Sequence, residues 1–161
     1  MKVIIDSREQ KPWSFSFFGA EEIHKKLDTG DYTVYGYEKQ FTIDRKASLS
    51  ELYSNLFKDY SRFKKEILRC EGMEAYILCE FPYNSIARFP HDSGIPNKYS
   101  KTRGWTWDNL RWGSDDIMDK IQLLSERDNI NFLFCMNRGA AEQKAYQLMK
   151  DFYERQIKKP K

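Results

Sequence analysis

Histidine and cysteine are scarce in this sequence, with two His and three Cys in 161 residues. Cys70, Cys79 and Cys135 are odd in number and widely spaced, which argues against a disulfide framework and against a zinc cluster. Cys79 and Cys135 lie in apolar runs and read as small buried hydrophobes. His24 and His91 stand alone, and neither reads as a metal ligand. No apolar run approaches the roughly 18 residues that a membrane helix needs. The opening Met1-Lys2-Val3-Ile4-Ile5-Asp6 places an acid after three apolar residues, too short a run for a signal-peptide core. The expectation is a cytoplasmic protein without a targeting signal or membrane contact. Charge of one sign is also lacking: 27 Lys and Arg against 24 Asp and Glu leave +3. That balance points only weakly to a nucleic-acid partner, because clustering matters more than the sum.

What is present suits one compact domain over 1–157, followed by a basic tail at 158–161. Residues 2–6 read as a strand rich in β-branched side chains, and residues 20–28 as a short helix with Ile23 and Leu27 four apart. Segments 31–36 and 40–46 form a hairpin, with Phe41, Ile43 and Arg45 on one face and Thr42, Asp44 and Lys46 on the other. The clearest element is a helix over 49–69, whose apolar positions 49, 52, 53, 56, 57, 60, 63 and 67 keep a period near 3.6. Ser48 and Glu51 have capping-box spacing at its start. Residues 74–80 are a near-continuous apolar run, as expected of a strand covered on both faces. Residues 82–112 are rich in Pro, Gly, Asn and Ser and read as an insertion or long loop. Ser114 then caps a helix to about Arg127, residues 130–136 form another strand, and a helix fills 139–157. This alternation makes the class α/β with a mixed sheet flanked by helices.

The informative feature is a set of acids at predicted strand ends. Asp44 and Lys46 are two apart on a strand and share a face. Asp31 opens the other strand of that hairpin, Asp6 ends the first strand, and Glu9 follows three residues later. If these strands are neighbours, four carboxylates and one ammonium meet at one sheet edge. Close carboxylates repel and raise one another's pKa. A hard divalent ion such as Mg²⁺, with Mn²⁺ as substitute, relieves this through oxygen ligands. It lowers the pKa of a bound water and neutralises phosphate charge. A lysine beside it stabilises a pentacovalent phosphorus transition state. This is the equipment for phosphodiester hydrolysis.

The runs Ile4-Ile5-Asp6-Ser7-Arg8-Glu9, Thr29-Gly30-Asp31-Tyr32 and Ile43-Asp44-Arg45-Lys46 resemble the nuclease domain of the XPF family. That family lies within the PD-(D/E)XK restriction-endonuclease-like fold. Arg62-Phe63-Lys64-Lys65-Glu66, the strand from Tyr76 to Glu80, and Asn137-Arg138 continue the resemblance, which covers the chain apart from 82–112. It implies metal-site acids at Asp6, Glu9, Asp31 and Asp44, a catalytic Lys46, and Arg8 and Arg45 contacting phosphate or holding the acids. Two positions depart from the family pattern: Asp44 stands where Glu is usual, and Ser50, followed by Glu51, where Asp is usual. The resemblance implies a metal-dependent endonuclease for flap, fork or junction DNA, in repair or recombination. Without helix-hairpin-helix modules the chain is similar to compact versions from phages, prophages and other microbial genomes. A homodimer through Phe132, Phe134 and the last helix is a further expectation, the alternative being that these residues serve only the core.

Blander readings stand beside these. Asp-x-Lys alone is an ordinary hairpin edge, Gly30-Asp31 alone a turn, and Asp6 to Glu9 a solvated loop with a local ion pair. The joint order of three motifs at strand ends favours the site. Lys98, Lys101, Arg103 and Arg111 are interleaved with Trp105, Trp107 and Trp112. The cations suit a nucleic-acid backbone, whereas the tryptophans more simply pin the loop to the core. On the helix over 49–69, Arg62 is the cation that suits DNA best. A non-catalytic DNA-binding subunit is the competing reading, kept open by Asp44 and Ser50. A nuclease with another task is a third.

Overall fold

The computed structural model describes residues 1–107 and 110–158, and for Trp105 only the backbone. The side chain of Trp105 and tail residues 159–161 therefore lie outside the described residues. Six strands form one mixed sheet: β1 (Lys2–Asp6), β2 (Glu21–Lys25), β3 (Tyr32–Val34), β4 (Phe41–Lys46), β5 (Glu74–Cys79) and, after a separate hairpin of β6 (Lys98–Ser100) and β7 (Gly104–Thr106), β8 (Ile130–Phe134). Their order is β2-β1-β3-β4-β5-β8, so β3 and β4 are central and β2 and β8 are edges. β3 runs antiparallel to β1 and to β4, while β4, β5 and β8 run parallel.

Helices cover both faces. On one side α1 (Leu49–Tyr53), α2 (Tyr60–Arg69), α3 (Asn84–Ala87) and α4 (Ser114–Asp128) enclose a core that includes Leu52, Leu56, Phe63, Ile77 and Leu124. On the other, α5 (Arg138–Ile157) packs Ala145, Met149 and Phe152 against Ile5, Tyr32, Phe41 and Ile43. The two faces of β4 follow the alternation read from the sequence. Phe41 and Ile43 enter the α5 core, while Ala75 and Ile77 of neighbouring β5 enter the α1–α2 core. No helix among the described residues is long and apolar enough to cross a membrane.

Four expectations change. Residues 21–25 are a strand, not part of a helix. β1 needs partners for its outer N–H and C=O groups, and a parallel register from Lys2↔Glu21 to Asp6↔Lys25 supplies them. The helix over 49–69 is interrupted: Ser54–Lys58 is a π turn, the Asp59 N–H donates to the Ser54 carbonyl at 2.8 Å, and Asp59 leaves helical backbone at φ −112°. Both halves still face one core, so the apolar period conceals the break. The stretch 82–112 carries its own elements, α3 and the β6–β7 hairpin. The Trp107 indole donates to the Ile95 carbonyl at 3.0 Å and Trp112 stacks on Phe57, so these two tryptophans do pin the segment. Finally, Gly113 precedes α4, and the Asp116 carboxylate, not Ser114, accepts the Gly113 N–H at 2.8 Å.

One glycine positions the site. Gly30 has φ +70°, and a Cβ there would lie 2.0 Å from Thr42 Oγ1 and 3.0 Å from the Ile43 carbonyl oxygen. Only glycine lets the chain pass this close to β4. Gly30→Ala should therefore lose more than the ~1–2 kcal/mol of a left-handed backbone alone. Adding Thr42→Ala should recover the clash with the hydroxyl and leave both the backbone strain and the tight approach to the Ile43 carbonyl. Urea unfolding of both variants checks this, and a loss under about 0.5 kcal/mol for Gly30→Ala would show that the loop yields freely.

Candidate active site

Backbone pairing brings the acids together. The Asp6 N–H donates to the Asp31 carbonyl at 2.7 Å, and the Asp31 N–H donates to the Ile43 carbonyl at 2.8 Å. Asp31 is thus wedged between the ends of β1 and β4, and its Oδ2 accepts the Arg45 N–H at 2.7 Å. Burial, reinforced by the nearby Asp44 carboxylate, pushes the Asp31 carboxyl well above its ordinary range. Asp44 Oδ2 is closed off from solvent. Lys46 Nζ lies 2.6 Å from that oxygen in a buried ion pair, and 4.0 Å from Glu51 Oε1. Burial works to lower the Lys46 pKa, but Asp44, Glu51 and Asp31 outweigh it and hold the ammonium charged.

Asp31, Asp44 and Glu51 line a cleft of about 800 Å³, with Arg62 and Glu66 of α2 on its wall. A second hollow of about 480 Å³ shares these residues and adds Lys46, Ser50 and Asn55. At the position of the usual family acid, Ser50 presents a hydroxyl to this hollow. The Ser48 hydroxyl caps the Glu51 N–H at 3.2 Å, but Glu51 Oε2 accepts the Ala47 N–H at 2.8 Å and not that of Ser48, so half of the expected capping box forms, while Oε1 faces Lys46. Both contacts coexist in one side chain.

The opposite face of β4 carries a different arrangement. Arg45 is 8% exposed and grips Glu80 with Nε at 2.7 Å and Nη2 at 3.2 Å. Its Nη1 donates to Glu9 Oε1 at 3.2 Å. Glu80 also accepts from the Trp13 indole at 2.7 Å and from Arg138 at 3.4 Å. Arg45 therefore holds acids instead of meeting solvent. Glu80 was not among the candidate residues. Its one sequence signal is a charge closing the apolar run of β5.

Asp6 is 3% exposed and fully engaged. Its oxygens accept the Arg8 N–H and Nε at 2.7 and 2.9 Å, Arg8 Nη2 at 2.8 Å, and the Leu27 N–H at 2.8 Å. Four donors match the roughly four acceptor positions of a carboxylate. Asp6 is thus a staple between β1 and the residues after β2, and Arg8 is committed to it. Lys98, Lys101 and Arg103 lie on or beside the β6–β7 hairpin, and Arg111 stacks over Trp112. None of these four lines either part of the cleft.

The donors present suit a hard cation. Asp44 Oδ2 is a buried oxygen held against the Lys46 ammonium, and its carboxylate opposes the ionisation of Asp31. Among the described residues, no three His, Cys, Asp or Glu groups close around one point. Two carboxylates completed by water are the pattern Mg²⁺ accepts. Asp31 and Asp44 are the residues that would hold it.

No family model matches the chain, and no curated protein does. Solved structures do match. XPF from Aeropyrum pernix is similar with a TM-score of 0.66 at 19% identity, over 96% of this chain and 66% of that one. XPF from the same organism in complex with DNA gives 0.61 at 18%, over 98% of this chain and 65% of that one. The fold is XPF-like. Identity this low establishes architecture alone, and the chain spans about two thirds of the length of these relatives in fold. The restriction-endonuclease-like mixed sheet expected from the motifs is thereby present.

Within this XPF-like frame, Asp6→Asn should cost about 2 kcal/mol at neutral pH, because the new NH₂ faces donors. Burial alone raises the Asp6 carboxyl, but Arg8 and the Arg8 and Leu27 amides outweigh it, so its pKa is lowered. A lowered folded pKa stabilises above the unfolded value of about 3.9 and ceases to do so as pH falls through the folded value. The gap between wild type and Asp6→Asn should therefore narrow below about pH 4. Urea unfolding across pH 2–7 reads it, and a gap that stays constant would remove Asp6 from this role.

Proposed function

We propose that this chain is a divalent-metal-dependent endodeoxyribonuclease acting on branched DNA such as flaps, forks or junctions. One observation carries the reading: Asp31, Asp44 and a charged Lys46 converge in a single open cleft at the end of β4. Support comes also from the XPF-like fold and from a similar XPF structure that is in complex with DNA. Mg²⁺ or Mn²⁺ at Asp31 and Asp44 would supply an activated water and neutralise phosphate charge. Lys46 stabilises the negative charge that grows on the phosphoryl oxygens. Arg62, exposed on the cleft wall, meets the phosphate backbone as the strand enters. Arg45, locked to Glu80, keeps Glu9 at the cleft wall. Asp6 is left out of the ligand set, because its oxygens are already occupied.

Labelled duplex, flap, fork and four-way-junction DNA, each with Mg²⁺, Mn²⁺ or EDTA, test the reading. Wild type should cut with metal and not with EDTA, and prefer a branched substrate. Asp31→Asn should abolish cutting, and Lys46→Ala should lower kcat by about 10²–10³-fold. Binding without cutting would make the chain a DNA-binding subunit. Neither binding nor cutting would overturn the reading.

A further inference from the structure

Asn55 Oδ1 is a buried side-chain oxygen without a hydrogen-bond partner, and Asp44 Oδ2, also closed off from solvent, has the Lys46 ammonium against it at 2.6 Å. Both belong to residues lining the same 480 Å³ hollow, together with Lys46. A buried acceptor without a donor is rare and destabilising, so Asn55 calls for an explanation. Asn55 is 8% exposed and stands in the π turn Ser54–Lys58. Such turns interrupt α-helices preferentially at functional positions. Here the turn places a carboxamide among buried positions that are otherwise apolar, such as Leu52, Leu56 and Phe63. The sole cation among the residues lining that hollow, other than exposed Arg62 and salt-bridged Arg45, is Lys46. Its ammonium bears three donors, and it presently covers Asp44 Oδ2 at 2.6 Å. An incoming cation needs that same oxygen.

We infer that Asn55 is a positioning residue that gives the Lys46 ammonium a second seat, so that Asp44 Oδ2 is released to a divalent cation. The inference rests on the metal-dependent reading above. With Lys46 on Asp44 the site is closed to the cation. With Lys46 donating to Asn55 Oδ1, the charge stays in the hollow and Asp44 is open. The buried Asn55 oxygen then has a donor, and Asp44 exchanges one cation for another. Asn55 touches neither the cation nor DNA in this scheme and acts through Lys46.

Mn²⁺ titration calorimetry without DNA tests this on a double-mutant cycle. Asn55→Leu keeps the volume and removes the acceptor, and it should weaken Mn²⁺ binding about tenfold, the low end for a residue behind a metal ligand. In a Lys46→Ala background, Asn55→Leu should change the affinity less than twofold, because no ammonium competes for Asp44. Asn55→Asp, which keeps the oxygen, should bind Mn²⁺ at least as well as wild type and covers the case in which Asn55→Leu fails to fold. The melting temperature of Asn55→Leu without metal should equal or exceed that of wild type, which a merely structural asparagine would not allow. Equal Mn²⁺ affinity in wild type and Asn55→Leu would overturn the inference and leave the nuclease reading standing. So would the same loss in both backgrounds. A wild type that takes up no Mn²⁺ and cuts no DNA would overturn both.

Discussion

Two carboxylates are held together by bonds that take no account of their charge. Asp31 is fixed by backbone pairing to β1 and β4, and Asp44 by the central position of β4 in the sheet. Neither can retreat without breaking the ladder. Their repulsion is therefore built into the fold, and something positive must answer it. In this structure Lys46 gives part of that answer, and the upward push on the Asp31 carboxyl marks what is left unanswered. A divalent cation would give a fuller one. The chemistry proposed for the site follows from this constraint more than from any single side chain.

The surroundings serve the same end. Gly30 lets Asp31 approach β4, Asp6 staples the loop that follows β2, and the Arg45–Glu80 pair ties β4, β5, Trp13 and the start of α5 into one buried network. These contacts reach from residue 6 to residue 138. They convert strand ends that are close in topology into a site that is rigid in space. Removing one partner of the Arg45–Glu80 pair would leave the other buried charge with only its longer ion pair, Arg45 to Glu9 at 3.2 Å or Glu80 to Arg138 at 3.4 Å.

What the sequence revealed and what it hid divide along physical lines. The two faces of β4 were legible because strand alternation is local, so Asp44 and Lys46 could be placed together and Arg45 opposite them. The order of motifs at strand ends made the convergence of Asp31 with Asp44 readable as well. The π turn at 54–58 was invisible, since the apolar positions stay in phase on both sides of it. Residues 21–25 were misread because an edge strand with one apolar residue pairs through its backbone, which leaves little pattern. Glu80 and Asn55 were missed for a shared reason: their roles depend on partners far along the chain or on a distortion of a helix, and neither leaves a periodic trace. Asp6 was legible as important, but the four donors that occupy it could be seen only in three dimensions.

The measurement closest to the central claim is a crystal structure of the wild-type chain grown with Mn²⁺, with anomalous scattering collected to locate the ion. The account predicts Mn²⁺ held by the Asp31 and Asp44 carboxylates, with the Lys46 ammonium moved off Asp44 Oδ2. An Mn²⁺-saturated crystal with no ion at Asp31 and Asp44, and with Lys46 still 2.6 Å from Asp44, would contradict it.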